Sequence, residues 1–146
     1  MQTELNKTKD REIKTLAEIY IEEFSKPPYK EKWTLKKATE KIKIFKNLYD
    51  CYTIFYGKNI IGFIAVNPTF MCPGVVAFGE DIVIKKEFQG KGLSTLVFNK
   101  IFQIYKKRSF KYFMGIAHKK SKALKIYKRK GFSIDKDFVL IGKRIK

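Results

Sequence analysis

Apolar residues recur at helical spacing near the start of the chain. Ile13, Leu16, Ala17, Tyr20, Ile21 and Phe24 predict an amphipathic helix over roughly 10–24, which Pro27-Pro28 ends. Thr34 is placed to cap a second helix whose stripe is Leu35, Ala38, Ile42, Phe45 and Tyr49. The pattern then changes to runs rich in β-branched and aromatic residues. Tyr52 to Tyr56 and Ile60 to Val66 read as strands of a hairpin turning at Gly57-Lys58-Asn59. A loop bracketed by Asn67-Pro68 and Pro73-Gly74 leads into a long strand, Val75 to Ile84. Leu93, Leu96, Val97, Ile101, Ile104 and Tyr105 predict a third helix. Lys111 to Ala117 reads as a strand, Ser121 to Lys130 as a short helix and Phe138 to Ile145 as a final strand. Thr3 to Asn6 reads as an initial edge strand.

This order predicts an α/β fold, a mixed sheet with helices on both faces. The later strand–helix–strand connections favour parallel pairing. A chain of 146 residues with 45% hydrophobic content, 13 Phe and 8 Tyr suits a single domain over 1–146. The first ten residues carry no apolar signal region, and no apolar run approaches membrane-spanning length. Cys51 and Cys72 lack metal-ligand spacing, and His118 is the single histidine. The expectation is a cytoplasmic, metal-free protein with reduced, buried thiols that does not engage a membrane.

The net charge of +18 changes the picture. Lysine and arginine cluster at 85–86, 106–108, 119–122 and 125–130, a surface that attracts anions. Abundant Lys, Ile, Asn, Phe and Tyr also fit a compositional bias. The chemistry concentrates between Asp81 and Thr95. There, Ile82-Val83-Ile84 leads into a basic turn with Gly90 and Gly92, and a helix opens at about Lys91. A strand–glycine turn–helix unit points backbone N–H groups at an anion. A P-loop would need Lys-Ser/Thr after its second glycine, where Leu93-Ser94 stands. A dinucleotide fingerprint would need a third glycine, where Thr95 stands.

What fits is Gln-x-x-Gly-x-small, as Gln89-Gly90-Lys91-Gly92-Leu93-Ser94. Downstream, Ala123, Tyr127 and Gly131-Phe132 form Ala-x-x-x-Tyr-x-x-x-Gly-Phe. Together, in this order and separation, the two motifs resemble the signatures of the GNAT superfamily of N-acetyltransferases. Residues 78–135 carry the resemblance. It implies a sheet in which the strand before the glycine turn and the next parallel strand splay apart to admit pantetheine. It also implies acetyl-CoA as cosubstrate and a primary amine as acceptor, with direct attack in a ternary complex. Dimers are common in the family, so a homodimer is compatible with the resemblance.

The resemblance assigns the residues as follows. Gln89, Gly90, Lys91, Gly92, Leu93, Ser94 and Thr95 would hold the pyrophosphate. Ser94 replaces the family's Gly/Ala with another small residue, and Gln89 is an accepted alternative to Arg. Backbone around Ile82, Val83 and Ile84 would line the thioester, with the N–H groups near Val83 and Ile84 facing its carbonyl. Tyr127 would protonate the departing thiolate, a transfer that needs local tuning because a phenol is ordinarily the weaker acid. Its plain alternative is core packing. Glu80 is the candidate base, acting through water. Simple strand alternation would turn the adjacent Asp81 to the other face. Lys120 stands where relatives have an Asn that contacts the coenzyme, and Ser121 reads as a helix cap. Tyr29 and Trp33, between the first two helices, would wall the acceptor pocket or simply anchor a packed loop. His118 reads as a loop residue.

Two other readings stay open. A non-catalytic acyl-CoA-binding module would explain why the Phe113 to Ala117 region has no carboxylate. A basic nucleic-acid-binding protein would need exposed aromatics among the lysines and steep salt dependence, and the motifs argue against it.

Overall fold

The computed structural model describes residues 2–145. Strands β1 (Thr3–Lys7), β2 (Asp50–Tyr56), β3 (Asn59–Asn67), β4 (Val76–Ile84) and β5 (Tyr112–Gly115) form one sheet in the order β1-β2-β3-β4-β5. The first four pair antiparallel and β5 joins β4 in parallel. This is the predicted mixed α/β sheet, and the initial edge strand is present.

Two helices, α1 (Ile13–Phe24) and α2 (Leu35–Leu48), cover one face. Their stripes bury Leu16, Ala17, Tyr20, Ile42 and Phe45 against Phe63, Ala65 and Val83. Thr34 caps α2 as predicted, its hydroxyl accepting from the Lys37 N–H at 3.2 Å. Asp10–Glu12 forms a 3₁₀ turn ahead of α1, so the predicted first helix begins slightly later. The opposite face is covered by α3 (Leu93–Lys107) and α4 (Lys122–Arg129). There, Val97, Phe98, Ile101 and Tyr105 pack on Ile54, Ile64, Val66 and Ala77. Phe98, Phe102, Phe113, Tyr127 and Phe132 extend this core as a chain of tilted and edge-on rings.

Two corners lock the layers. Glu12 is buried, and its Oε1 accepts from the Lys9 N–H and the Thr53 hydroxyl, both at 2.9 Å. Asp50 at the start of β2 accepts from the Tyr105 hydroxyl at 2.5 Å and from Arg108 at 2.6 Å. Both bring distant parts of the chain together through charge-assisted hydrogen bonds.

Three expectations are corrected. The final strand over 138–145 does not form. Val139, Leu140 and Ile141 are 84%, 81% and 86% exposed. Asp135 Oδ1 accepts from the N–H groups of Asp137 and Phe138, so a turn directs this segment, and strand propensity without a partner strand does not make a strand. The predicted strand over 111–117 shortens to Tyr112–Gly115, because β4 offers it no partner beyond Gly79. Finally, Cys51 is buried but Cys72 is exposed in the β3–β4 loop.

Gly62 marks the tightest approach within the sheet. A Cβ built there would lie 1.9 Å from the Val83 carbonyl oxygen. Gly62→Ala is expected to destabilise the fold by about 1–3 kcal/mol or more, as overpacking does. Urea denaturation checks this, with a lower midpoint and an unchanged slope as the expected result.

Candidate active site

The site begins where β4 outlasts its parallel partner. β5 pairs with β4 only from Val76↔Tyr112 to Gly79↔Gly115. Gly79 stands at that end, where an added Cβ would crowd the Phe113 ring at 3.0 Å. The next residue, Glu80, is a bulge. Ala65 pairs with Asp81 and Val66 with Gly79, so Glu80 has no partner on β3. A bulge adds local twist. Here it falls directly past the last β4–β5 pair, where β5 itself ends.

The bulge also resets the phase of side chains along β4. Before it, Ala77 packs on the α3 face; after it, Val83 packs under α1 and α2 while Ile82 and Ile84 face α3. Simple alternation therefore fails at this position. Glu80 and Asp81 both line one cleft of about 880 Å³, together with Phe24, Tyr29, His118 and Tyr127. The expectation that only one of the two carboxylates can reach the site is corrected. A glycine inside a strand was the sequence signal for the bulge.

Asp81 is the more perturbed carboxylate. The Tyr20 hydroxyl donates to its Oδ2 at 3.2 Å. Burial pushes its pKa up from 3.8 to about 7, while Lys41 and the Tyr20 hydrogen bond pull it down and Glu80 and Glu31 push it further up. Glu80 accepts from Asn67 Nδ2 at 3.2 Å. A carboxylate with a pKa near neutrality inside a cleft is suited to exchanging protons at physiological pH.

Tyr127 projects from α4 into the same cleft and packs edge-on to Phe98, with centroids 5.5 Å apart. Burial raises its phenol above the ordinary value, and Tyr29 and Asp81 add to the rise. It stays protonated at neutral pH and can donate a hydrogen bond. Gly131, at φ 92°, follows the end of α4, and the Phe132 N–H returns to the Tyr127 carbonyl at 3.0 Å. Ser121 caps α4 through the Leu124 N–H at 3.3 Å and donates to the His118 carbonyl at 2.8 Å. His118 Nδ1 accepts the Lys120 N–H at 3.0 Å, so the ring braces the β5–α4 turn. The Lys120 side chain is exposed on that turn.

Of the two aromatics between α1 and α2, Tyr29 lines the cleft, stacked at a tilt on Phe24 at 4.7 Å. Trp33 does not line it. It packs edge-on to Tyr20 at 4.8 Å, against the core under α1 and α2.

Backbone direction distinguishes the amides of β4. The Lys85 N–H donates to the Ile61 carbonyl at 2.7 Å, and the Val83 carbonyl lies against Gly62. Lys85 and Val83 therefore direct their polar groups to β3, and alternation turns those of Ile82 and Ile84 to the open side. Gln89 lies on that side. Its Nε2 donates to the Ile84 carbonyl at 2.7 Å and to Glu23 Oε2 at 3.2 Å. After it, Gly90 and Gly92 take φ of 72° and 76°, a region that side chains rarely adopt, and space is open around both. Gly92 caps α3, and the Leu96 N–H makes the first return bond, to the Gly92 carbonyl at 3.4 Å. The amides of Leu93, Ser94 and Thr95 therefore begin the helix without intrahelical acceptors.

The family model described as Acetyltransferase (GNAT) family matches residues 13–132. The chain belongs to this family. No curated protein matches it in sequence. Among solved structures, a possible acetyltransferase from Clostridium difficile 630 is similar at a TM-score of 0.79 and 13% identity, covering 100% of this chain and 99% of the other. An aminoglycoside N-acetyltransferase in complex with CoA has a TM-score of 0.75 at 10% identity, with 99% and 96% covered. An aminoglycoside acetyltransferase from an uncultured soil metagenomic sample, in complex with trehalose, has a TM-score of 0.70 at 14% identity, with 99% and 97% covered. The GNAT fold thus spans nearly the whole chain. Among the described residues, no helix is long and apolar enough to cross a membrane, and no group of His, Cys, Asp and Glu could hold a metal.

The raised pKa of Asp81 sets a stability signature. Between about pH 4 and 7 the folded carboxyl keeps a proton that the unfolded chain has lost, so stability falls as pH rises through this window and levels off above it. Asp81→Asn should remove that fall. At pH 8 the expected gain is ~2 kcal/mol, set below the full linkage value because the cleft leaves the carboxyl some water. At pH 4 the variant should differ little. Thermal denaturation across pH checks both the sign and the window.

Proposed function

We propose that this GNAT protein is an acetyl-CoA-dependent N-acetyltransferase acting on a primary amine in a ternary complex. One observation carries the reading. Asp81 and Tyr127 line one cleft past the last β4–β5 pair, and β4 runs on from that cleft through Ile84 to the glycine turn that opens α3.

The residues present fit acetyl-CoA. Gly90 and Gly92 leave open space, the first amides of α3 suit a pyrophosphate, and Lys91 adds a positive charge beside them. Gln89 is turned inward to Ile84 and Glu23, so it supports the loop from behind. The bound cosubstrate supplies an activated acetyl group as a thioester. The open-side amides of Ile82 and Ile84 are suited to receive the charge that develops on the thioester oxygen, with Ile82 taking the role first expected of Val83.

Asp81 accepts the proton that the attacking amine loses, directly or through Glu80 and water. The C–N bond forms, the C–S bond breaks, and the sulfur leaves with its electron pair. Tyr127 donates a hydrogen bond to that sulfur. Its raised pKa makes complete transfer to a thiolate uphill, so the phenol stabilises the leaving group and solvent completes the protonation. The carboxylate missing from β5 is thereby supplied by β4, which favours a catalyst over a non-catalytic module.

Three measurements test this. Gly92→Asp places bulk and negative charge in the open loop and should weaken acetyl-CoA binding about tenfold or more by calorimetry. Equal affinity would remove the loop from the site. Activity should rise with pH through about 7, separately from a later rise set by the amine itself. Asp81→Asn should lose the step near 7 and about 10²–10⁴-fold in rate. Tyr127→Phe should lower kcat about 10–100-fold with acetyl-CoA affinity kept, and an unchanged kcat would exclude Tyr127 from the reaction.

A further inference from the structure

The cleft is electrically polarised, against the trend of the whole protein. Its β5, α4 and tail side carries Lys111, Lys128, Lys130 and Lys136, offset in part by Asp135 and Asp137. Its β4 and α1 side carries Glu80 and Asp81, within a chain of net charge +18. Asp81 accepts one hydrogen bond, at Oδ2, and among the described residues no donor reaches its Oδ1. That oxygen belongs to a carboxyl lining the cleft and is free to take a proton or a cation.

Glu31 stands beside this end. Its N–H donates to the Phe24 carbonyl at 2.9 Å, which holds it next to an aromatic residue of the cleft wall. Glu31 enters none of the four ion pairs among the described residues, whereas Glu23 is engaged by Gln89 and Lys26. The Glu31 charge acts on Tyr29, Tyr20 and Asp81. Lys41 is the opposing cation near Asp81. Phe24 and Tyr29 line the cleft with Glu80 and Asp81, and their ring faces attract ammonium groups.

We infer that the acceptor is a small dication, a primary amine that carries a second ammonium or guanidinium group. The reacting amine meets Asp81, and the second cation sits against the Phe24 and Tyr29 rings within the field of Glu31 and Glu80. This rests on the acetyltransferase reading and narrows its acceptor. It also separates the roles of charge: basic loops draw in the anionic cosubstrate, while the acidic end selects the amine.

Calorimetry on the CoA-bound protein at pH 8 and fixed salt tests this without requiring turnover. The probes are cadaverine, pentylamine and 5-aminopentanoate. Cadaverine should bind about tenfold more tightly than pentylamine, and the amino acid more weakly than either. Glu31→Gln should bring the cadaverine-to-pentylamine ratio toward one, with circular dichroism unchanged. Equal binding of the two amines by the wild type would overturn the inference, as would preference for the amino acid or an unchanged ratio in Glu31→Gln. Selective cadaverine binding without any acetylated product would leave the dication site standing and overturn the acetyltransferase reading. Turnover of both amines with equal affinity would do the reverse.

Discussion

The geometry of the site depends on one irregularity in the sheet. Glu80 is an extra residue on β4, inserted directly after the last pair with β5. A regular strand there would keep Gly79, Asp81 and Val83 on one face and would keep pairing with β5. The bulge turns Asp81 beneath α1 and, past the end of the β4–β5 pairing, leaves the amides of Ile82 and Ile84 on an open edge. Gly79 and Gly62 serve the same arrangement. Gly62 permits a backbone approach to Val83 that a Cβ would block, and at Gly79 a Cβ would press on the Phe113 ring.

The second constraint is electrostatic. Asp81 is carried into a half-enclosed place where its charged form is disfavoured, and a single hydroxyl from Tyr20 partly compensates. A structural role would favour an asparagine there. The carboxylate is tolerated because the surrounding layers are over-determined. Below it lies the core of Leu16, Ile42, Phe45 and Phe63, and the Glu12 and Asp50 corners tie helices to strands on either side. A well-packed scaffold thus holds a destabilising group where proton transfer would use it.

Much of this was legible along the chain. Helical periodicity located α1, α2 and α3, and runs of β-branched and aromatic residues bounded by turn signals located β2, β3 and β4. The helices bury one clear face each and β3 is buried on both, so their local patterns and their tertiary positions agree. The glycine turn was legible for a different reason. Two residues in the left-handed region need glycine, and a helix start needs a cap, so the backbone chemistry is written into residue type. The final strand was misread because Val139, Leu140 and Ile141 have strand propensity but no neighbour, and a strand exists only by pairing.

The sequence by itself determined most of the elements, their order, the family motifs and the glycine turn, because each rests on contacts between residues close in the chain. The tertiary structure alone decided that Glu80 and Asp81 both share a cleft with Tyr127, which amides face the open edge and where Trp33 packs. Those outcomes turn on register between strands, and a one-residue bulge changes register without changing composition or periodicity elsewhere. The polarity of the cleft was equally hidden. Glu31 and Asp81 are fifty residues apart, and only the packing of the α1–α2 connection against β4 brings their charges to one place.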